Sequence, residues 1–198
     1  MAVHKFFHST ILAINVLKCT DKVHTMPLVS KVCGSQSSSL LLETDYAYTT
    51  QSYDQRTFTI PDNSSYEMYL LNSAPLLRYV FIQHNVNVIF ILIDKCSLVS
   101  VPRTIRNVPH LRRLTIRSCR IQHLDLNDFV HLPILHEVDF NHNQIVTITE
   151  PPAGAVLAIH RLYLTYNKIR QLDMNVLHAL KELHCLVVDN NRIEEFPS

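Results

Sequence analysis

The segment 159–172, IHRLYLTYNKIRQL, decides the fold, because its pattern of apolar positions returns four more times along the chain. The other copies start at residues 88, 111, 135 and 183 and read VIFILIDKCSLVSV, LRRLTIRSCRIQHL, LHEVDFNHNQIVTI and LHCLVVDNNRIEEF. Successive starts lie 23, 24, 24 and 24 residues apart. In every copy, positions 0, 3, 5, 10 and 13 after the start are apolar and position 8 is asparagine or cysteine. In a chain that is 47% apolar, the apolar slots alone would fill by chance about once in 10⁸ trials.

Positions 3 and 5 of each copy predict an inner strand. One residue separates them, so side chains such as Leu162 and Leu164 point to the same buried face of a short β-strand. The chain must then turn, and an inward asparagine at position 8 can satisfy backbone groups that the turn exposes. The asparagines at this position are Asn143, Asn167 and Asn191. Cys96 and Cys119 stand at the same rung, and because a thiol bonds hydrogen weakly, we expect the first two rungs to be held less firmly.

The residues between the copies predict the opposite wall of each coil. Apolar residues spaced three apart suit a short helix or 3₁₀ turn packed against the strands. The pairs are Ile105 with Val108, Phe129 with Leu132, and Leu177 with Leu180. In the coil after Ile145, the residues Pro151, Pro152 and Gly154 exclude a regular helix, so this part of the wall is predicted to be irregular.

Residues 88–198, a little over half of the chain, resemble the leucine-rich-repeat superfamily, whose pattern L-x-x-L-x-L-x-x-N/C-x-L every copy follows. The resemblance implies an α/β solenoid, a horseshoe segment of about five coils with a parallel concave β-sheet. A 24-residue coil is similar to that of extracellular members, and the cysteine rungs resemble those of insect haemolymph immune proteins of this type. The implied function is that of a secreted recognition or innate-immunity protein that binds a protein partner through its concave face. An intracellular leucine-rich-repeat scaffold or adaptor is the alternative.

The first part of the chain, residues 1–25, is predicted to be a targeting segment or an ordinary apolar one. Lys5 precedes an apolar run, which is the order found in a secretory signal peptide. His8 and Asn15 dilute that run, and no clean cleavage site follows it. Both interpretations therefore stay open.

Residues 26–87 are assigned to an N-terminal cap that covers the apolar edge of the first coil. RTFTI at 56–60 and LRYVFI at 77–82 are predicted to be its strands, and the polar stretch 33–53 to be partly irregular. Within this region, Asn63-Ser64-Ser65 is a glycosylation sequon if the chain is secreted, or simply a polar turn after a proline.

The outward positions of the strands are where function is predicted, since rungs about 4.8 Å apart arrange these side chains in columns on one surface. We expect the partner to be contacted by Arg113, Arg117, Asp139, Asn141, Tyr163, Tyr166, His160 and Asp189. Tyr163 and Tyr166 stand near the centre and are predicted to be the hot spot, because tyrosine combines a large apolar area with a polar tip. The alternative is that both are solvated aromatic residues.

Two further clusters admit a functional and a plain interpretation. His136, His160 and His184 share one column and could bind a transition metal or respond to pH, but no acidic fourth ligand recurs beside them. We therefore favour a polar surface column and predict no metal site. A run of arginines without an intervening acid could receive a carboxylate, phosphate or sulfated glycan, or be a solvated face. It comprises Arg103, Arg106, Arg112, Arg113, Arg117 and Arg120.

Cys185 stands at an outward position of the last copy. We predict that its thiol is accessible, which makes it a candidate for an intermolecular disulfide, with a partly covered thiol as the plain alternative. The sequence ends at Ser198, just after this copy, and a homo- or heterodimer through this end is one way to cover its apolar surface.

Composition argues against several other classes of protein. Two glycines are too few for a glycine-rich phosphate loop, and the common hydrolase and zinc-protease motifs are missing, so neither a cofactor nor enzymatic activity is predicted. A net charge of +1 and the lack of interleaved aromatic residues argue against nucleic acid. No apolar run reaches the roughly 18 residues of a membrane span. The predicted location is extracellular, with the cytoplasm as the alternative.

Overall fold

One parallel β-sheet runs through the described chain, which in this computed structural model is residues 46–194 without the side chains of Met174 and Leu177. Its seven strands, in spatial order, are β1 (Ala47–Thr50), β3 (Met68–Leu71), β5 (Phe90–Asp94), β6 (Arg113–Arg117), β8 (Glu137–Asp139), β10 (Arg161–Tyr163) and β11 (Cys185–Val187). Neighbouring strands are parallel and their paired residues lie 21 to 24 positions apart. The chain therefore winds once between successive strands of the sheet and makes about six turns of a solenoid.

Shorter elements build the opposite wall. They are β2 (Thr57–Ile60) paired in parallel with β4 (Tyr79–Ile82), β7 (His123–Asp125) paired in parallel with β9 (Thr147–Thr149), 3₁₀ turns at Arg103–Asn107 and Leu126–Phe129, and helix α1 (Met174–Ala179). The first 3₁₀ turn closes the edge of β4, because the Thr104 hydroxyl accepts from the Ile82 N–H at 3.1 Å and the Asn107 amide donates to the Ile82 carbonyl at 2.7 Å. Within the described residues, no helix has the length and apolarity needed to cross a bilayer.

The solenoid extends further upstream than the sequence predicts. Strands β1 and β3 belong to the same sheet as the strands that follow residue 88, so the boundary predicted there does not divide the sheet. The segments predicted to be cap strands, 56–60 and 77–82, are instead β2 and β4 of the opposite wall. The repeat is hidden because the first coils are shorter and Ala74, which pairs with Cys96, stands where the template requires asparagine or cysteine. Residues 1–45, including the predicted signal segment, lie outside the described part.

Buried side chains from both walls form one continuous core. Leu114, Val138, Leu162 and Leu186 are successive partners in the sheet and are at most 5% exposed. The predicted inward direction of positions 3 and 5 is thus confirmed. Phe129, from the opposite wall, packs against Phe140 with ring centroids 6.3 Å apart, which shows how the two walls share the interior.

The predicted asparagine ladder is present, and each of its side chains links two neighbouring coils. The Asn167 side chain accepts from the Ile145 N–H at 3.0 Å and donates to the carbonyls of Phe140 and Leu164, also at 3.0 Å. Asn143 and Asn191 make the equivalent bonds one coil before and one coil after. Each amide thereby satisfies backbone groups that the turn leaves without partners inside a buried region.

The first two rungs are joined covalently rather than held loosely. Cys96 and Cys119 form a disulfide with a Cα–Cα distance of 4.5 Å, within the usual range for such a bond. The expectation that these rungs are weakly bound was wrong. Two cysteines that occupy the same position of adjacent coils stand one strand spacing apart, close enough for their sulfur atoms to bond.

The residue before each rung adopts a left-handed backbone conformation. Position 7 of the five copies has φ between 54° and 57°, although none of its occupants is glycine. They are Lys95, Ser118, His142, Tyr166 and Asn190. Left-handed residues other than glycine persist where surrounding bonds fix them. That condition is met here, since the Tyr166 N–H donates to the Asp189 carbonyl at 3.0 Å and the preceding coils repeat this bond. After β9, Gly154 has φ 84° and no helix forms, as predicted.

Candidate partner-binding face

The outward side chains of the seven-stranded sheet and of the turns that flank its strands form one surface, which we name the sheet face. It is the side predicted to be concave. All eight residues predicted to contact a partner lie on these strands or beside them. The strands alternate as expected, since Leu162 is 1% exposed whereas Arg161 and Tyr163 on either side of it are not buried. The fold therefore brings the predicted residues to one side of the molecule.

A ladder of charges crosses the middle of the sheet face. Glu137 forms an ion pair with Arg113 at 3.1 Å on one side and with Arg161 at 3.2 Å on the other. The guanidinium of Arg113 also lies 5.3 Å from the centre of the Phe90 ring, a cation–π distance. Arg113 is thus engaged on two sides, and the ladder carries one net positive charge.

Arg117 and Asp94 make a second ion pair on this face, at 3.4 Å. Asp94 is 9% exposed, and no donor among the described residues reaches its buried Oδ1. Arg103 and Arg106 stand on a 3₁₀ turn of the opposite wall. The arginine run seen in the sequence is therefore divided between two walls, and two of its members on the sheet face already have acidic partners.

Asp139 and Asn141 belong to a hydrogen-bonded belt across the coils. The Asn141 N–H donates to the Asp139 carboxylate at 2.9 Å, and the Asn141 side chain accepts from the Thr165 N–H at 2.7 Å. Burial raises the pKa of Asp139 above its usual range, although the bond from Asn141 and the charge of Arg117 oppose that rise. These side chains are largely committed to internal bonds, which leaves them less to offer a partner.

Tyr166 is the most exposed aromatic residue that the sequence placed on this face. It is 52% exposed and stacks on His142 of the preceding coil, with ring centroids 4.5 Å apart and planes 14° apart. Tyr163 lies in β10 and is half-buried. The two tyrosines differ in environment, and Tyr166 presents much the larger free ring surface.

The histidines form the predicted column at the start of the strands. His136 and His160 stack with centroids 4.6 Å and planes 9° apart, and His184 meets His160 edge to face at 5.2 Å. Burial, His160 and Arg112 together lower the pKa of His136. Nitrogen lone pairs of two parallel rings lie in parallel planes and do not converge on one point. Among the described residues, no group of three or more histidine, cysteine or acidic side chains is placed to hold a metal ion.

The prediction that the Cys185 thiol is accessible was wrong. Cys185 is buried, with 8% of its surface exposed. An intermolecular disulfide there would require the last described coil to open. A dimer through this end of the solenoid stays a prediction without that bond to support it.

The sheet face also has an apolar end that sequence reasoning missed. Met68 pairs with Phe90 and Leu70 with Leu92 in the sheet, and all four side chains are half-buried on the outward side. We name these four residues the apolar end. Met68 and Leu70 lie within residues 26–87, which were predicted to be a cap and not part of the repeat sheet. The signal was present in the sequence, since EMYLL at 67–71 stands 22 residues before IFILI at 89–93.

Comparison with known proteins agrees with this architecture. No protein-family model matches the sequence. Human Podocan-like protein 1 is 32% identical over 89 residues, which are 41% of this chain and 17% of that protein. A solved APL1 leucine-rich repeat domain superimposes with a TM-score of 0.65 at 16% identity, covering 77% of this chain and 39% of that one.

A structure of the LRIM1/APL1C complex superimposes with a TM-score of 0.60 at 18% identity, covering 71% of this chain and 26% of that one. The chain thus spans well under half the length of each of these relatives. At such identities, the structural likenesses speak for the fold alone. The 24-residue repeat, the coiled parallel sheet and these likenesses together show that the chain has the leucine-rich-repeat fold.

Proposed function

We propose that this chain is the recognition module of a secreted protein and binds a protein partner through its sheet face, without catalysing a reaction. The observation that carries the proposal is the sheet face itself, where seven strands, four of them in coils joined by the buried asparagine ladder, present outward columns of aromatic, apolar and charged side chains. A rigid array of this kind binds without much loss of conformational entropy. A role in innate immunity rests on the resemblance to insect haemolymph proteins and is part of the proposal.

Secretion is supported by the Cys96–Cys119 disulfide, because such bonds form and persist in oxidising compartments. The sequon at Asn63 is exposed, which fits the same compartment. The competing function is an intracellular scaffold built on the same solenoid. In a reducing cytosol the two thiols would remain reduced, so the redox state of this pair separates the two functions.

Partner contact is proposed to centre on Tyr166, Tyr163 and the apolar end. Arg113, Arg117 and Asp139 make internal bonds, and a partner would have to remove water from groups that are already satisfied. Tyr166 has no such cost on its exposed ring surface. The LRIM1/APL1C structure is a complex of two proteins, and a protein partner for this chain is proposed by analogy with it.

A photo-crosslinking experiment tests the binding surface. A benzophenone side chain replaces Tyr166 in one protein and Tyr79, which is 59% exposed on β4 of the opposite wall, in the other. Both are incubated with extracellular fluid from the source tissue and irradiated. The proposal expects a defined adduct from position 166 and none from position 79. Adducts of equal yield, or only from position 79, would count against the sheet face.

Affinity for the captured partner gives the second test. Tyr166→Ala should weaken binding about tenfold or more, as expected for a hot-spot tyrosine, with unchanged thermal unfolding. Tyr79→Ala is the matched control and should bind like the wild type.

Location is tested by expressing the chain with its own N-terminus in cultured eukaryotic cells and measuring intact mass with and without reductant. Recovery from the medium with an oxidised Cys96–Cys119 pair supports secretion, and retention with reduced thiols supports the scaffold.

A further inference from the structure

Five aromatic rings cluster at the amino-terminal end of the described solenoid and line an open cleft of about 500 Å³. They are Tyr48, Tyr53, Phe58, Tyr66 and Tyr69. Their centroids lie 5.2 to 6.1 Å apart in tilted and edge-to-face contacts. Phe58 and Tyr69 are buried, whereas Tyr66 is 38% exposed, so the cluster has an inner wall and an open mouth. The sheet face and its proposed partner do not use this cleft.

The sequon loop forms one rim of the same cleft. Asn63 and Ser65 are exposed, while Ser64 between them is 9% exposed and shares a hydrogen bond with the Tyr69 hydroxyl. The Ser64 carbonyl accepts from the side-chain amides of Asn85 at 2.9 Å and Asn87 at 3.1 Å. The loop is thus anchored at its centre, and the side chain of Asn63 stands free at the border of the aromatic cleft.

We infer that Asn63 carries an N-linked glycan whose first sugars dock in the aromatic cleft, an inference that rests on the proposed secretion. In this modification, the Asn63 Nδ2 forms a bond to C1 of an N-acetylglucosamine, and the bond from C1 to the diphosphate of a lipid-linked oligosaccharide breaks. The amide proton passes to the transferase and the lipid diphosphate leaves. The sequence contains no second Asn-x-Ser/Thr sequon, so a single glycan is expected.

Chemistry and tethering favour this occupant. The C–H face of a sugar ring packs on the negative face of an aromatic ring, while its hydroxyls remain in water at the open mouth. A glycan on Asn63 is held beside the cleft, and its effective concentration there is high enough for weak stacking contacts to persist. An uncharged amphipathic ligand also suits a cleft whose polar contributions come from tyrosine, serine and threonine hydroxyls.

Nuclear magnetic resonance of the glycosylated full chain tests the inference directly. The protein is exported from cultured eukaryotic cells behind a supplied cleavable leader, so the outcome does not depend on its own N-terminus. The glycan is trimmed to one N-acetylglucosamine. Its N-acetyl methyl signal should move upfield, through ring currents, from its position in a glycopeptide of residues 60–68. The shift should disappear in Tyr66→Leu and remain in the control Tyr79→Leu.

Thermal unfolding supplies the second measurement. The glycan should raise Tm relative to Asn63→Gln in the wild type and in Tyr79→Leu, and this gain should be lost in Tyr66→Leu. An exported chain without a glycan overturns the inference while leaving secretion intact. A methyl signal at the glycopeptide position, with equal Tm gains in all variants, also overturns it and points to another occupant, such as the chain's own N-terminal segment. If Tyr66→Leu fails to fold, the wild-type methyl shift still decides.

Discussion

Replacing Asn167 with alanine should cost about 3 kcal/mol of unfolding free energy. The substitution leaves the Ile145 N–H without an acceptor in a buried region, and an orphaned group of this kind costs about 1–3 kcal/mol. The carbonyls of Phe140 and Leu164 lose one donor each but keep a second, from Asn143 and Asn191 respectively. Each of these losses is worth about 0.5–1 kcal/mol. The total cost is the sum of these three losses. Because the turn can relax partially, we expect the total to lie in the lower part of the range that the three values span.

Urea unfolding followed by circular dichroism measures this loss. Asn127→Ala is the matched control, because Asn127 is exposed in a 3₁₀ turn and its described bonds are made by its backbone N–H and carbonyl, which alanine keeps. The control should stay within about 0.5 kcal/mol of the wild type. Asn191→Ala, at a rung that is only part-buried, should fall between the two, since water can reach the groups it exposes.

Asn167→Asp separates hydrogen bonding from packing, because it preserves the size of the side chain. Its carboxylate can still accept from the Ile145 N–H but cannot donate to Phe140 and Leu164, and it repels their carbonyls. Burial beside these oxygens should raise the folded-state pKa above that of the unfolded chain. Stability relative to the wild type should therefore be highest at acidic pH and fall as pH rises through that folded value. If Asn167→Ala and Asn167→Asp are both as stable as Asn127→Ala, the asparagine ladder does not hold the coils together.

Three further predictions address other contacts. Cys119→Ser should lower the unfolding free energy of the oxidised protein by about 3 kcal/mol, the entropy of closing the loop to Cys96, and reductant should abolish the difference from the wild type. Leu162→Ala should cost roughly 2–5 kcal/mol and Tyr163→Ala much less in the same urea assay, and equal losses would contradict the inward and outward assignment. Because the pKa of His136 is lowered in the folded state, its contribution to stability is present above the unfolded-state pKa and is lost as pH falls through the folded value. The pH dependence of unfolding in His136→Gln should accordingly be shallower than that of the wild type on the acidic side of about pH 6.5, and an unchanged slope would contradict this.

The buried positions of the repeat were predicted correctly from the sequence. Positions such as Leu162 and Asn167 sit in a crowded interior where few side chains fit, so the same residue types recur and the period can be counted. The early coils were predicted poorly, because Ala74 fills the rung with a small apolar side chain and shows no repeat signature. The disulfide was missed for a different reason. The repeat already places Cys96 and Cys119 at the same position of successive copies, but whether their sulfur atoms bond depends on the distance between the two coils, which the repeat pattern does not give.

Surface properties were predicted least well, because they depend on neighbours in other coils. The backbone of Lys95 and Tyr166 is left-handed without glycine, and only the bonds to the next coil account for that. Cys185 was expected to be accessible from its position in the strand, but it is buried. Asn63 was recognised as part of a sequon. The aromatic cleft beside it was not predicted, because its residues come from β1, β2, β3 and the loops between them.

The charge pattern of the sheet face constrains where binding energy can arise. Glu137 is neutralised from both sides by Arg113 and Arg161, so a partner that covers this ladder gains little new attraction and must displace the water that solvates it. Exposed ring and aliphatic surface carries no such penalty, and burying it is favourable in proportion to its area. The sheet face should therefore bind through its two ends, Tyr166 on one side and Phe90 with the rest of the apolar end on the other. The ion pairs between them, Arg113–Glu137–Arg161, would set the orientation of the partner rather than the strength of the complex.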